Sequence, residues 1–216
     1  MSNYRGILKT SMVSTTIACG LALSLGIGFA AAGDKPTTEQ IIHTLTPKHT
    51  TRSLTASPAE VAKTAEDQKF INELRNRPLT RSLSLGEREK VASIAADKPK
   101  IDLEINFEFN SDRISKSAMP TVEALAKALN SSALKGNTVL VAGYTDAKGS
   151  EDYNQGLSER RAAAVKQILV DKFGITADNL MTVGYGETHL KNTSNPGAAE
   201  NRRVGIVNMA STTAAK

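Results

Sequence analysis

Residues 101–110 alternate without a break. Ile101, Leu103, Ile105, Phe107 and Phe109 are apolar, while Asp102, Glu104, Asn106, Glu108 and Asn110 are polar. That period of two belongs to a strand with one face in a core and the other in water. Asn110-Ser111-Asp112 ends the pattern. Apolar residues then recur at helical spacing (Met119, Val122, Leu125, Ala126, Leu129), with Ser117 as the expected cap and Pro120 in the first turn. Gly136-Asn137 is a turn signal, and Val139–Tyr144 is a nearly continuous apolar run suited to a strand covered on both faces. Ser150 is placed to cap a long helix from Glu151 to about Phe173, with Glu151 and Asp152 at the positive end of its dipole and Gly174 at its stop. Met181, Val183 and Tyr185 alternate in a third strand. A loop holding Pro196-Gly197 leads to the last strand, Arg203–Met209. The order β-α-β-α-β-β predicts an α/β (α+β) two-layer domain: a mixed sheet with helices packed on it, its two crossovers implying parallel neighbours.

The rest of the chain reads differently. Arg5 and Lys9 precede an apolar stretch from Met12 to Ala32 that ends Phe29-Ala30-Ala31-Ala32. Small residues at Ala30 and Ala32 fit a cleavage site, so residues 1–32 are expected to be a secretory signal peptide. A lipid on Cys19 and an uncleaved anchor are the weaker alternatives: Thr16 is a poor fit upstream of a lipidated cysteine, and the glycines, serines and threonines make a poor span. Residues 33–100 read as a spacer, partly disordered with short helices. Its first part, 33–58, is rich in Thr, Ser, Pro and Lys and is expected to bury little. Helices are expected over Ala59–Arg77, closed by Pro78, and over Glu87–Ala96. Thr-Arg-Ser-Leu occurs at Thr51–Leu54 and again at Thr80–Leu83, a chance recurrence or a short docking motif. The folded domain is then 101–210, with 211–216 as a disordered tail.

Composition excludes several functions. The single cysteine, Cys19, rules out a disulfide framework, and His43, His49 and His189 are too scattered for a histidine metal site. No cofactor is expected. The net charge of +5 lies outside the domain, since 101–216 holds equal numbers of acidic and basic residues. A nucleic-acid-binding domain would carry that excess itself, so no nucleic-acid partner is expected. Residues 33–100 also lack the serial alternating segments of a transmembrane barrel.

The long helix carries one misplaced residue. Leu157, Ala164, Val165, Ile168 and Leu169 mark its core-facing stripe, and Arg161 falls on that stripe while Arg160 points about 100° away. Asn154, seven residues earlier, shares the face of Arg161. A guanidinium on a packing face needs an anion. The nearest candidate in chain logic is Asp146, just past the Val139–Tyr144 strand on the edge where parallel strands gather ligands. Two readings stand. Asp146 and Arg161 form an internal salt bridge, or they line a pocket offering a carboxylate to an ammonium and a guanidinium to a carboxylate. An enzyme using Asp146 with Glu151 or Asp152 lacks a nucleophile–base pair or metal ligands, so no enzymatic activity is expected.

Gly143-Tyr144-Thr145-Asp146, Gly149, Tyr153-Asn154, Leu157-Ser158, Arg161-Ala162 and Val165 resemble the signature of the OmpA-like C-terminal domain family. That family also includes peptidoglycan-associated lipoproteins and the peptidoglycan-binding domain of flagellar stator proteins. Phe107-Glu108-Phe109-Asn110-Ser111 resembles its opening strand. Gly184-Tyr185-Gly186-Glu187 and Asn201-Arg202-Arg203-Val204 resemble its closing segment. The resemblance implies non-covalent binding of diaminopimelate-type peptidoglycan through the free amino-acid head of the stem-peptide diaminopimelate. It implies that Asp146 takes the ammonium and Arg161 the carboxylate, with Asn154 and Thr145 supporting them and the backbone of Asn110 and Ser111 as the opposite wall. At least one of Arg202 and Arg203 would serve structure. An exported protein of the periplasm or outer membrane follows, with an envelope partner for residues 33–100 a further possibility. The chain departs from the pattern at Thr188-His189-Leu190-Lys191, where the family usually has a proline, and at Ala198, where a basic residue is common. The resemblance therefore does not dictate the 188–200 loop.

Overall fold

The computed structural model describes residues 35–47, 58–75, 82–108 and 111–210, all within one compact unit running from Lys35. The expected signal peptide (1–32), the first Thr-Arg-Ser-Leu, Asn110 and the tail (211–216) lie outside the described residues.

Among the described residues, three helices precede the sheet: α1 (Thr38–Leu45), α2 (Pro58–Arg75) and α3 (Leu85–Ala95). Then come β1 (Lys100–Leu103), α4 (Met119–Leu129), β2 (Val139–Gly143), α5 (Glu151–Phe173), β3 (Leu180–Gly184) and β4 (Val204–Asn208). The fold is the expected mixed α/β one, with the β-α-β-α-β-β order intact. The strands lie in the order β1-β4-β2-β3. β2 and β3 are parallel neighbours, with Val139 opposite Leu180 and Gly143 opposite Gly184. β4 runs antiparallel to both β1 and β2 and separates them. The first crossover therefore does not give neighbours: β1 and β2 point the same way with β4 between. β1 is also shorter than its alternation suggested. Pairing stops at Leu103, yet Leu103 and Ile105 are buried and Asp102, Glu104 and Asn106 exposed, so the period of two persists in burial beyond the ladder.

The sheet is covered on both faces: α4 and α5 form the expected helical layer, and helices ahead of the domain cover the other face. Successive residues of β2 belong to different cores. Val139 and Val141 pack with Val122, Leu125, Ala162, Val165 and Leu169 of α4 and α5. Leu140 and Ala142 pack with Ile71, Leu74, Val91 and Ala95 of α2 and α3. This double burial explains why Val139–Gly143 is an apolar run rather than an alternating one. The stretch expected to act as a spacer thus supplies one layer. It also adds to the other: Ile41 and Leu45 of α1 are fully buried in the α4–α5 core, and Asn208 Nδ2 donates to Leu45 O at 2.9 Å. Residues 38–45 bury more than their composition implied because a capping box holds the helix. Thr37 accepts from Gln40 N, and the Gln40 side chain accepts from Thr37 N.

Helix ends follow their local chemistry. Ser150 caps α5 by accepting from Tyr153 N, and Gly174 closes it at φ 66°. Ser84 and Glu87 form a second capping box on α3. Ser117 does not cap α4. A short 3-10 turn, Lys116–Ala118, leads into it instead, and Pro120 sits in the first turn as expected.

Candidate functional site

The site is built where β2 and β3 end and α5 begins. Gly143 and Gly184 are cross-strand partners, and α5 passes directly over both. A Cβ on Gly143 would meet Ser158 O at 2.2 Å, and one on Gly184 would meet Glu159 N and Ser158 Oγ at 2.5 Å. Only glycine lets the helix backbone come this close. Ser158 Oγ then accepts from Gly186 N at 2.8 Å, and Gln155 Nε2 donates to Gly184 O at 2.9 Å. This contact sets the rotation of α5. Its packed face runs through Asn154, Leu157, Ser158, Ala162, Val165 and Leu169. The predicted stripe was slightly off: Ala164 and Ile168 are only partly buried, and Arg161 lies at the margin of the packed face, half-buried.

The loop after β2 is fixed from several sides. Thr145 N donates to Gly186 O at 2.9 Å, and Ala147 N to Pro196 O at 3.0 Å. Asn154 is fully buried and holds the loop. Its Nδ2 donates to Asp146 O (3.2 Å), Lys148 O (3.1 Å) and the Glu187 carboxylate. Gly149, at φ 106°, carries the chain into the Ser150 cap. Asp146 is only 7% exposed. Thr145 Oγ1 is buried with no hydrogen-bond partner, an uncommon state for a hydroxyl because desolvation goes uncompensated.

Asp146 and Arg161 are not bridged, so the internal salt bridge between them is corrected. The Asp146 carboxylate is met by Arg202, Nη1 to Oδ2 at 2.6 Å, and Oδ1 accepts from Lys148 N at 3.4 Å. Arg161 has no carboxylate partner among the described residues. It is held by its guanidinium over the Phe107 ring, 4.7 Å from the centroid, and by Nε donating to Ser111 O at 3.4 Å. Burial lowers the Arg161 pKa; Tyr153 and Asp146 oppose the shift, and Arg202 and Arg160 reinforce it. Asp146, Thr145, Asn154, Arg161 and the Ser111 backbone therefore converge on one end of the sheet, while Asn110 is outside the described residues. Chemically this is a semi-buried carboxylate beside a guanidinium with no anion of its own. Among the described residues no cluster of His, Cys, Asp or Glu is suited to hold a metal ion.

Sequence reasoning missed three contributors. Phe107 was read only as a strand residue, yet it is the platform for Arg161. Glu187 was read only as part of a motif, yet it accepts from Asn154. The partner of Arg202 had no local signal, because its counter-ion lies 56 residues away. Arg203 has the structural role expected of one of the pair. It is 3.8 Å from the Tyr144 ring centroid, its Nε is 3.3 Å from Asp102 Oδ2, and Nη2 donates to His189 O at 3.1 Å. Tyr144 stacks on Tyr185 and His189 meets Tyr185 edge-on. The 188–200 loop is organised by Asn201, fully buried, whose Nδ2 donates to the carbonyls of Asn192, Asn195 and Pro196.

Residues 106–203 match the family model for the OmpA family. The chain is 34% identical over 111 residues to outer membrane porin F of Pseudomonas aeruginosa, covering 50% of this chain and 31% of that protein. It is 40% identical over 86 residues to outer membrane protein A of Escherichia coli O157:H7, covering 40% and 25%. The match thus spans about a third or less of these relatives' own length. Among solved structures, the periplasmic domain of Helicobacter pylori MotB (residues 78–256) is 27% identical with a TM-score of 0.44, covering 51% of this chain and 76% of that one. The cell wall anchor of the T6SS from P. aeruginosa is 25% identical with a TM-score of 0.44, covering 56% and 96%. Residues 106–203 of this chain are a domain of the OmpA family.

Proposed function

We propose that this chain is a non-catalytic cell-wall anchor that binds peptidoglycan through the diaminopimelate head of the stem peptide. Arg161 carries the reading. Its guanidinium is half-buried, oriented by Phe107 and Ser111, and lacks a carboxylate among the described residues. A group held this way accepts a ligand carboxylate without first breaking an ion pair. Asp146 supplies the complementary charge for the ligand ammonium. Asn154 keeps the Asp146 loop in place. The match of residues 106–203 to the OmpA family supports an envelope location. With residues 1–32 as a signal peptide, the protein acts in the periplasm or at the outer membrane.

A few charge-assisted hydrogen bonds of about 1.5–3 kcal/mol each, less the entropy of binding, give micromolar to millimolar affinity per site. A polymer carrying many stems makes that useful through rebinding. The test is co-sedimentation of the full chain with insoluble peptidoglycan. Diaminopimelate-type wall should retain the protein and lysine-type wall should not, because the lysine side chain lacks the terminal carboxylate Arg161 would hold. Equal retention on both walls would reject the assignment.

A further inference from the structure

We propose that Arg202 is a displaceable counter-ion that occupies the ammonium subsite of the free protein and must leave Asp146 when ligand binds. This deepens the reading above and rests on it. The argument begins with access. The Asp146 side chain is only 10% exposed, Oδ1 faces Lys148 N, and Oδ2 faces Arg202 at 2.6 Å. Little of the carboxylate is left for a second cation. The Arg202 side chain, by contrast, is 45% exposed, so one end of the ion pair is fixed in the protein and the other is free to move.

The structure also offers a destination. Arg202 lines a cleft of about 220 Å³ whose wall includes Glu104 and Glu200, together with Asp102, which is already paired with Lys191 and Arg203. One oxygen of Glu200 accepts from Asn192 and one of Glu104 from Asn106, which leaves the other oxygen of each to receive a guanidinium. Arg202 therefore borders the Asp146 carboxylate on one side and the Glu104 and Glu200 carboxylates on the other. It sits on Asp146 in the free state and turns to the cleft when an ammonium takes its place. Arg161 gains from the exchange, because Arg202 is one of the charges that disfavour its guanidinium and departure relieves that repulsion. An empty site with Arg202 seated is closed to ammonium, and the apparent affinity falls by the fraction of molecules in the open state.

The experiment is calorimetric titration of the full chain, wild type and Arg202→Gln, with a soluble diaminopimelate-containing stem peptide. Wild type should bind, and Arg202→Gln should bind several-fold to about tenfold more tightly, since the competing cation is gone. Unchanged or weaker binding by a folded Arg202→Gln overturns the displaceable role while leaving the peptidoglycan reading intact. Absence of binding by both proteins overturns both. Should Arg202→Gln fail to fold, the wild-type Arg202 Nε–H signal is followed by nuclear magnetic resonance during peptide saturation. It should shift as the Asp146 pair breaks, and a stationary signal at saturation refutes the exchange.

Discussion

The Asp146 carboxylate receives the guanidinium of Arg202 at 2.6 Å and not that of Arg161, although Asp146 and Arg161 share one end of the sheet. The site therefore holds two cationic side chains around one buried carboxylate, and the two play different parts. Arg202 neutralises Asp146 in the free protein. Arg161 rests on an aromatic ring with its hydrogen-bonding edge unpaired by any described carboxylate.

Arg161→Ala should therefore abolish retention on diaminopimelate-type peptidoglycan with little loss of fold. The contact with Phe107 is a partly exposed cation–π pair worth about 0.5–1 kcal/mol, so the thermal midpoint should drop only slightly. Arg161→Lys should restore little binding, because an ammonium cannot engage a carboxylate with two parallel donors. Pull-down and a thermal melt on the same samples separate the two effects. Strong retention by Arg161→Ala would remove this residue from the binding site.

Gly143→Ala should be among the most damaging small substitutions. Its new methyl would lie 2.2 Å from Ser158 O, and that atom belongs to a helix backbone that cannot swing away. Overpacking of this kind costs about 1–3 kcal/mol. It should also tilt α5 and carry Asn154 and Arg161 out of place. Denaturant unfolding and peptidoglycan retention should fall together. A Gly143→Ala protein of unchanged stability would mean that α5 does not press on the strand ends.

Much of this was legible in the chain. The alternation at 101–108, the Ser150 cap, the Gly174 stop and the apolar run of β2 each state a local rule, and local rules survive folding. Even the two-sided burial of β2 was readable, but not what covers the second face. α2 and α3 show no steady apolar stripe, since among their described residues only Ile71, Leu74, Val91 and Ala95 are buried. In the site, residue types and their shared edge were legible from Asp146, Asn154 and Arg161. The pairing was not. Which arginine meets Asp146 is decided by how β4 enters between β1 and β2, and that is a long-range choice with no signature in spacing.

Alkaline stability should report the Tyr144–Tyr185 stack. Burial pushes the Tyr144 phenol up from 10.0 to about 12, with Arg203 opposing and Asp102 adding. Tyr185 is raised too, by burial first and then by Tyr144 and Glu89. Below pH 10 both folded and unfolded phenols keep their protons and the contribution is complete. Between pH 10 and about 12 the unfolded chain releases the Tyr144 proton and the native state retains it. Stability then falls with rising pH, by about 1.4 kcal/mol per unit for each retained proton. Tyr144→Phe keeps the ring against Arg203 and removes the proton. Urea midpoints at pH 9 and pH 11 should show a smaller drop for the variant, and equal drops would mean Tyr144 titrates as if exposed.

The helices ahead of the family domain should be needed for its stability, not only for reach. Ile41 and Leu45 are fully buried against α4 and the sheet, and the Leu45 carbonyl satisfies the buried amide of Asn208. Leu45→Ala should cost about 2–5 kcal/mol, the range for removing a large aliphatic side chain from a packed core. A tether outside the core would lose less than about 0.5 kcal/mol. Thr37→Ala should cost about 1 kcal/mol, because it removes one half of the capping box that sets the start of α1. Both are measured by denaturant unfolding of the full chain, followed through tyrosine fluorescence. A negligible effect of Leu45→Ala would return residues 38–45 to the role of a spacer. A large effect makes α1 part of the same cooperative unit as α4, α5 and the sheet.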